Sequence, residues 1–203
     1  MKNAKFKTAT FFLITLMSIG SVNTLRAHSH DSSVKEFFND AKESLNKGIE
    51  KMGDNFEAIQ EYLEDYSWKG IIQKKATSDA VTLKHLHLNE HSVAVIVKPS
   101  EEVEGVIHCH LDKEKCAPFG LYRVVIGLKG LGAQTTIGNE LGIAAGKSKE
   151  SFILTAPKKP GIYEIRFRLV DSYLKDDALS AWVDDKGHEP DATTTIGLII
   201  VKS

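Results

Sequence analysis

An antiparallel β-sandwich preceded by a long amphipathic N-terminal helix is the fold class this mainly β sequence predicts, on three observations. Apolar residues between Ser33 and Tyr66 recur every three or four positions, which is the helical period. After Trp68 the period drops to two, over seven or eight short runs bounded by turn-forming residues. Most of these runs have no helical pattern between them. The strands must therefore pair through hairpins, since parallel neighbours need long crossovers.

Residues 1–27 have the layout of a cleaved export signal. Lys2, Lys5 and Lys7 precede the nearly all-apolar stretch Thr10 to Ile19, and small or polar residues lead down to Ala27. The apolar core is about ten residues, roughly half a membrane span, so the mature chain is expected to have no membrane span and to be periplasmic or secreted. Cleavage after Ala27 would place His28-Ser29-His30 at the new terminus. A free amine, two amides and a third-residue imidazole form a square-planar nitrogen set that suits Cu(II) or Ni(II). Cleavage also removes Lys2, Lys5, Lys7 and Arg26 and no acid, leaving a formal charge of about −5. That balance disfavours nucleic acid or an anionic membrane surface as the main partner. About 176 residues remain, enough for one buried core and an appendage.

The predicted organisation is thus a signal peptide (1–27), an amphipathic helical arm (28–67) and a β domain (68–203). In the arm, Ser33 and Glu36 form a capping box, and Val34, Phe37, Phe38, Ala41, Leu45 and Ile49 begin the apolar stripe. Gly48 and Gly53 each weaken the helix by about 1 kcal/mol relative to Ala. The stripe has two ways to be buried: against the β domain, or in a homodimer through residues 33–66.

The expected strands are Ile71–Lys75, Val81–Leu88, Ser92–Lys98, Glu104–Leu111, Leu121–Leu128, Ser151–Thr155, Ile162–Val170 and Thr194–Lys202. Gly127 to Gly146, rich in glycine and poorly periodic, reads as a long surface connection. Asp171 to Asp191 reads as an acidic excursion with a short amphipathic turn from Ala178 to Trp182. Pro160-Gly161-Ile162-Tyr163, leading into Glu164-Ile165-Arg166-Phe167-Arg168, looks like the corner and strand of immunoglobulin-like domains. There a tyrosine just inside the strand bonds back to the preceding loop, the role expected of Tyr163. This stretch, with Ala178, Trp182 and Thr195-Ile196-Gly197, resembles a pattern in secreted bacterial proteins of unassigned function with an immunoglobulin-like β-sandwich. The likeness covers about 40 residues, under a quarter of the chain. It implies export and a sandwich, and no catalytic residues.

Four groups of residues bear on chemistry. Cys109 and Cys116, in an oxidising compartment, read as a disulfide across a hairpin tip that contributes roughly 2–3 kcal/mol; free thiols or metal ligation are the alternatives. His85 and His87 lie two apart on one strand, as do His108 and His110 on another. Alternation sends each pair to one face, where four imidazoles could meet the tetrahedral nitrogen set of Zn²⁺, with His91 as an extra ligand; a solvated polar face is the plainer reading. Tyr173, Trp182, Asp184 and Asp185 place aromatics beside acids on one loop, a combination suited to stacking on and hydrogen bonding to a sugar. The acids of 171–191 are also dense enough for Ca²⁺, though not at EF-hand spacing. No Gly-x-Ser-x-Gly elbow and no His-Glu-x-x-His motif is present.

The expectation is a secreted, non-enzymatic binding protein that recognises a protein, glycan or host-surface ligand through its loops or a sheet face. A periplasmic zinc- or copper-binding protein using the paired histidines is the alternative. A hydrolase acting through the 171–191 acids is the second alternative. No cofactor is expected, with Zn²⁺ or Ca²⁺ the candidate ions.

Overall fold

A computed structural model of the chain describes residues 57, 72–90, 93–117, 119–139 and 141–202. The expected signal peptide, the His28-Ser29-His30 terminus, the arm (except Glu57, which is helical) and His91 lie outside the described residues.

Nine strands form two sheets: β1 (Lys75–Ser78), β2 (Val81–Leu88), β3 (Ala94–Val97), β4 (Glu102–Leu111), β5 (Tyr122–Leu128), β6 (Gly132–Ile137), β7 (Gly146–Thr155), β8 (Gly161–Asp171) and β9 (Thr195–Val201). One sheet has the order β1-β2-β4-β7 and the other β3-β9-β8-β5-β6. Alternation along each strand sends one set of side chains inward. Leu83, Ile107, Cys109 and Leu154 of the four-stranded sheet meet Val95, Ile126, Phe167 and Ile199 of the five-stranded sheet in one buried cluster.

Three expectations are corrected. The sheets are not wholly antiparallel: β3 runs parallel to β9, with Ala94 opposite Leu198 and Val97 opposite Val201. The reason is topological. The chain leaves one sheet after β2 and enters the other, and five intervening strands make the crossover that a parallel pair needs. The segment Gly127 to Gly146 is no long loop, because β6 pairs with β5 within it and β7 begins at Gly146. Its weak periodicity reflects half-exposure of β6, whose residues up to Thr136 are all only partly buried. The short helix of the excursion, α1, spans Lys175–Ser180 and so begins before the expected apolar turn. Tyr163 behaves as expected, its hydroxyl donating to the Lys159 carbonyl at 2.7 Å.

The five-stranded sheet is buried on both faces over much of its area. Ala94, Ile96, Ile162, Leu198 and Ile200 are buried although alternation points them away from the shared cluster. Nearer β5, the excursion after β8 covers the outer face, where Ala178 and Trp182 pack on Val125.

Candidate functional site

The outer face of the four-stranded sheet is organised by a conflict in β2. Val81 and Leu83 point inward, so strict alternation would bury His85 next. A β-bulge prevents this: Lys84 lies opposite His108 but His87 lies opposite Val106, three residues against two. His85 absorbs the extra length with φ 53, a left-handed conformation that costs a non-glycine residue on the order of 1 kcal/mol or more. Leu86 then turns inward against β9 at Gly197, where a Cβ would sit 2.6 Å from the Leu86 side chain. His85 and His87 are both left exposed. The His85 ring meets His108 edge-on, with centroids 5.5 Å apart and planes at 73°.

Pairing across the sheet turns this into a charged surface. Lys75 lies opposite Lys84, Lys84 opposite His108, and His108 opposite Lys149, so one row of four strands carries only basic residues. The next row is Thr77, Thr82, His110 and Lys147, with the two threonine hydroxyls 3.0 Å apart. Lys75, Lys84, Lys147 and Lys149 form no ion pair among the described residues. Among the described residues of this face, acids appear only toward the other end of β4, where Glu104 and Glu102 face Ile153 and Thr155. Like charges directly opposite one another destabilise a sheet by several tenths of a kcal/mol per pair. His110, half-buried, adds an Nδ1 that is shielded from solvent and lacks a hydrogen-bond partner.

Beside the bulge lies a depression with a volume of about 440 Å³. Leu83, Leu86, Val93, Ile107 and Ile196 line it, and Lys84, His85 and His87 stand at its edge.

The four predicted histidines are therefore not assembled into one metal centre. His85 and His108 touch, the bulge carries His87 opposite Val106, and His110 sits one row away opposite Thr82. Among the described residues, no group of three or more His, Cys, Asp or Glu side chains is placed to hold a metal ion.

The predicted ligand residues of the excursion are also scattered. Trp182 is buried, so its ring offers no stacking surface. Tyr173 is exposed on a cavity of about 630 Å³ beside Leu141 and Lys175. Asp184 lines a different cavity of about 680 Å³ with Arg168 and His188, and Asp185 is simply exposed. Asp184 closes its own turn, accepting from the backbone N–H groups of Lys186 and His188, and the His188 bond leads in holding its carboxyl below the usual range. The excursion is tied down by a buried network. Arg166 donates to Glu164 and, at 2.6 Å, to the Pro190 carbonyl, while Lys129 reaches the other Glu164 oxygen at 3.2 Å. Burial pushes the Glu164 carboxyl up, but Arg166 and Lys129 outweigh it and hold the group below the ordinary carboxylate range.

Cys109 and Cys116 are free thiols rather than a disulfide. Cys109 faces the core from β4, where burial pushes its thiol up to about 12. Cys116 follows a 3-10 turn at Lys113–Lys115, and its Sγ donates to the Asp112 carbonyl at 3.2 Å.

No family model matches this chain, and no curated protein matches it either.

The basic row was missed in the sequence. Gly146-Lys147-Ser148-Lys149 alternates visibly, but nothing in one strand says which strand it will face.

Proposed function

We propose that this chain is an exported, non-enzymatic binding module of immunoglobulin-like β-sandwich topology that recognises an anionic polysaccharide through the outer face of its four-stranded sheet. The observation that carries this reading is the unneutralised row Lys75, Lys84, His108 and Lys149. A chain selected for stability alone would place carboxylates among these cations, so their absence points to an anion supplied from outside. The row is local, because the chain as a whole is slightly acidic. A flat, exposed array of point charges suits a polymer that presents sulfate, phosphate or carboxylate groups at intervals.

The topology supports the immunoglobulin-like part. A strand crosses sheets to run parallel to the last strand, and Tyr163 closes a tyrosine corner at the start of β8. Residues 1–27 support export, in keeping with the resemblance to secreted bacterial sandwich proteins. Ala94, Ile96, Ile162, Leu198 and Ile200 form an apolar face that an amphipathic arm over residues 28–67 would suit as a cover. A chain shortened to begin at Ser67 would expose them, and its insolubility is the expected result.

Heparin, a sulfated polysaccharide, is the test ligand. The mature protein should be retained on immobilised heparin at low salt and released as salt rises. Joint substitution of Lys75→Glu, Lys84→Glu and Lys149→Glu should abolish retention. Undiminished retention of that variant, or none by the wild type at low salt, would end the proposal. A second reading, zinc held at His85 and His108, rests on their ring contact. It requires stoichiometric zinc that is lost in His85→Ala and in His108→Ala.

A further inference from the structure

We infer that two copies of this chain pair edge to edge through β7, antiparallel about a two-fold axis at Ser151, joining their four-stranded sheets into one. The inference stands apart from the polysaccharide reading, since it uses the edge of the sheet rather than its face.

Of the sheet edges, β7 is the one most open to another strand. The sheets end in β1 and β7, and in β3 and β6. β1 and β3 have four residues each and β6 has six, whereas β7 has ten, with no proline and no shift of register against β4. A long, regular edge offers a row of unpaired backbone groups as a template. Two contacts show which groups these are. The Ala156 N–H donates to the Glu101 carbonyl at 2.8 Å, toward β4, while the Thr155 N–H and carbonyl turn the other way, to the Gln134 side chain. Alternation therefore points the N–H and carbonyl of Ile153, Ser151, Lys149 and Lys147 away from β4 as well. No backbone bond from another described segment reaches them, and all four residues are exposed.

Charge selects the partner and the register. Lysines on an edge repel most arriving strands, so a partner must meet them with something other than a cation. A second copy does so in one arrangement. An axis at Lys149 would set two lysines opposite each other, and an axis at Glu150 would oppose two carboxylates. An axis at Phe152 would need the Thr155 backbone, which Gln134 already occupies. With the axis at Ser151, Lys149 lies opposite Ile153 of the second copy, Glu150 opposite Phe152 and Ser151 opposite Ser151. Ile153, 51% exposed, thereby gains cover. The ends of the sheets match too. Beside Lys149 and Lys147 on β4 stand His108 and His110, and beside Ile153 and Thr155 stand Glu104 and Glu102. The two-fold lays the basic end of each sheet against the acidic end of the other. Lys149 and Glu104 of the second copy are then two strand spacings apart, roughly 10 Å, near enough to attract at low salt.

The test is sedimentation of the mature protein over about 1–100 μM, the range expected of a small interface. A monomer–dimer equilibrium is expected, with the dimer favoured at low salt. Ser151→Pro removes an outward N–H and spares the bonds to β4, so it should fold and stay monomeric. Ile153→Lys would face Lys149 of the second copy; it should weaken the dimer about tenfold or more and covers the case in which Ser151→Pro fails to fold. Ser151→Cys reads the register, because residues that exchange both bonds have Cα atoms about 5.5 Å apart, within disulfide range. Mild oxidation should link that variant into a covalent dimer, whereas Lys147→Cys, far from its own copy in this register, should not exceed the wild type. A monomer throughout the range would overturn the inference. So would a dimer that survives both Ser151→Pro and Ile153→Lys, as one formed through residues 33–66 would, or equal cross-linking of Ser151→Cys and Lys147→Cys. A wild-type dimer that is not retained on heparin would overturn only the polysaccharide reading.

Discussion

The outer faces of the two sheets handle charge in opposite ways. On the five-stranded sheet Glu164 and Arg166 are buried, bonded to each other and anchored to Lys129 and Pro190. On the four-stranded sheet Lys75, Lys84, Lys147 and Lys149 have no carboxylate partner among the described residues. Burial forces pairing, because an isolated charge in a low-dielectric site costs several kcal/mol. Exposure removes that compulsion, so unpaired charges kept in a row are free to serve a ligand. One face uses its charges to hold the fold, and the other leaves them without carboxylate partners among the described residues.

Breaking the buried network should have the largest effect. Glu164→Gln leaves Arg166 buried without its anion and should cost about 3–5 kcal/mol in urea unfolding. The same variant sharpens the pH behaviour. The folded pKa of Glu164 lies below its unfolded value of roughly 4.3, so the stabilisation is present above that pH and is lost as pH falls through the folded value. Stability of the wild type should therefore drop on acidification below about pH 4.3, and the gap to Glu164→Gln should narrow. Trp182→Ala should cost nearly as much, about 3–5 kcal/mol, because it uncovers Val125 and releases the excursion.

On the other sheet the effect on stability is small. The joint change of Lys75, Lys84 and Lys149 to Glu should move stability by no more than about 0.5 kcal/mol, because the like-charged pair at 75 and 84 keeps its repulsion with the sign inverted while His108 gains carboxylate neighbours, and heparin retention should disappear. A large loss of stability in that variant would erase the distinction between the two faces. The smallest effect concerns the thiols. At about pH 8 native Cys109 should resist alkylation, since burial holds its thiol near 12, and Cys116, half-buried, should react first by mass spectrometry. Two blocked thiols under non-reducing denaturation would instead show that a disulfide forms.

Much of the fold was legible because burial imposes period two on each strand. Val81–Leu88 is bounded in the structure as its sequence predicts, and Tyr163 announces its corner through the preceding Pro160-Gly161. Half-exposed β6 carries no such period and was missed. The histidines were legible as exposed side chains but not as a group. Their spacing along one strand is covalent, whereas their spacing across strands depends on register, and the bulge at His85 changes register midway.

The sequence alone determined which residues must be buried and where most strands lie, because these follow from local pattern and solvation. Only the tertiary structure decided which strands are neighbours, and with that the basic row, the depression beside the bulge and the burial of Trp182. Each depends on contacts between residues far apart in the chain, and no local periodicity encodes the partner of a strand.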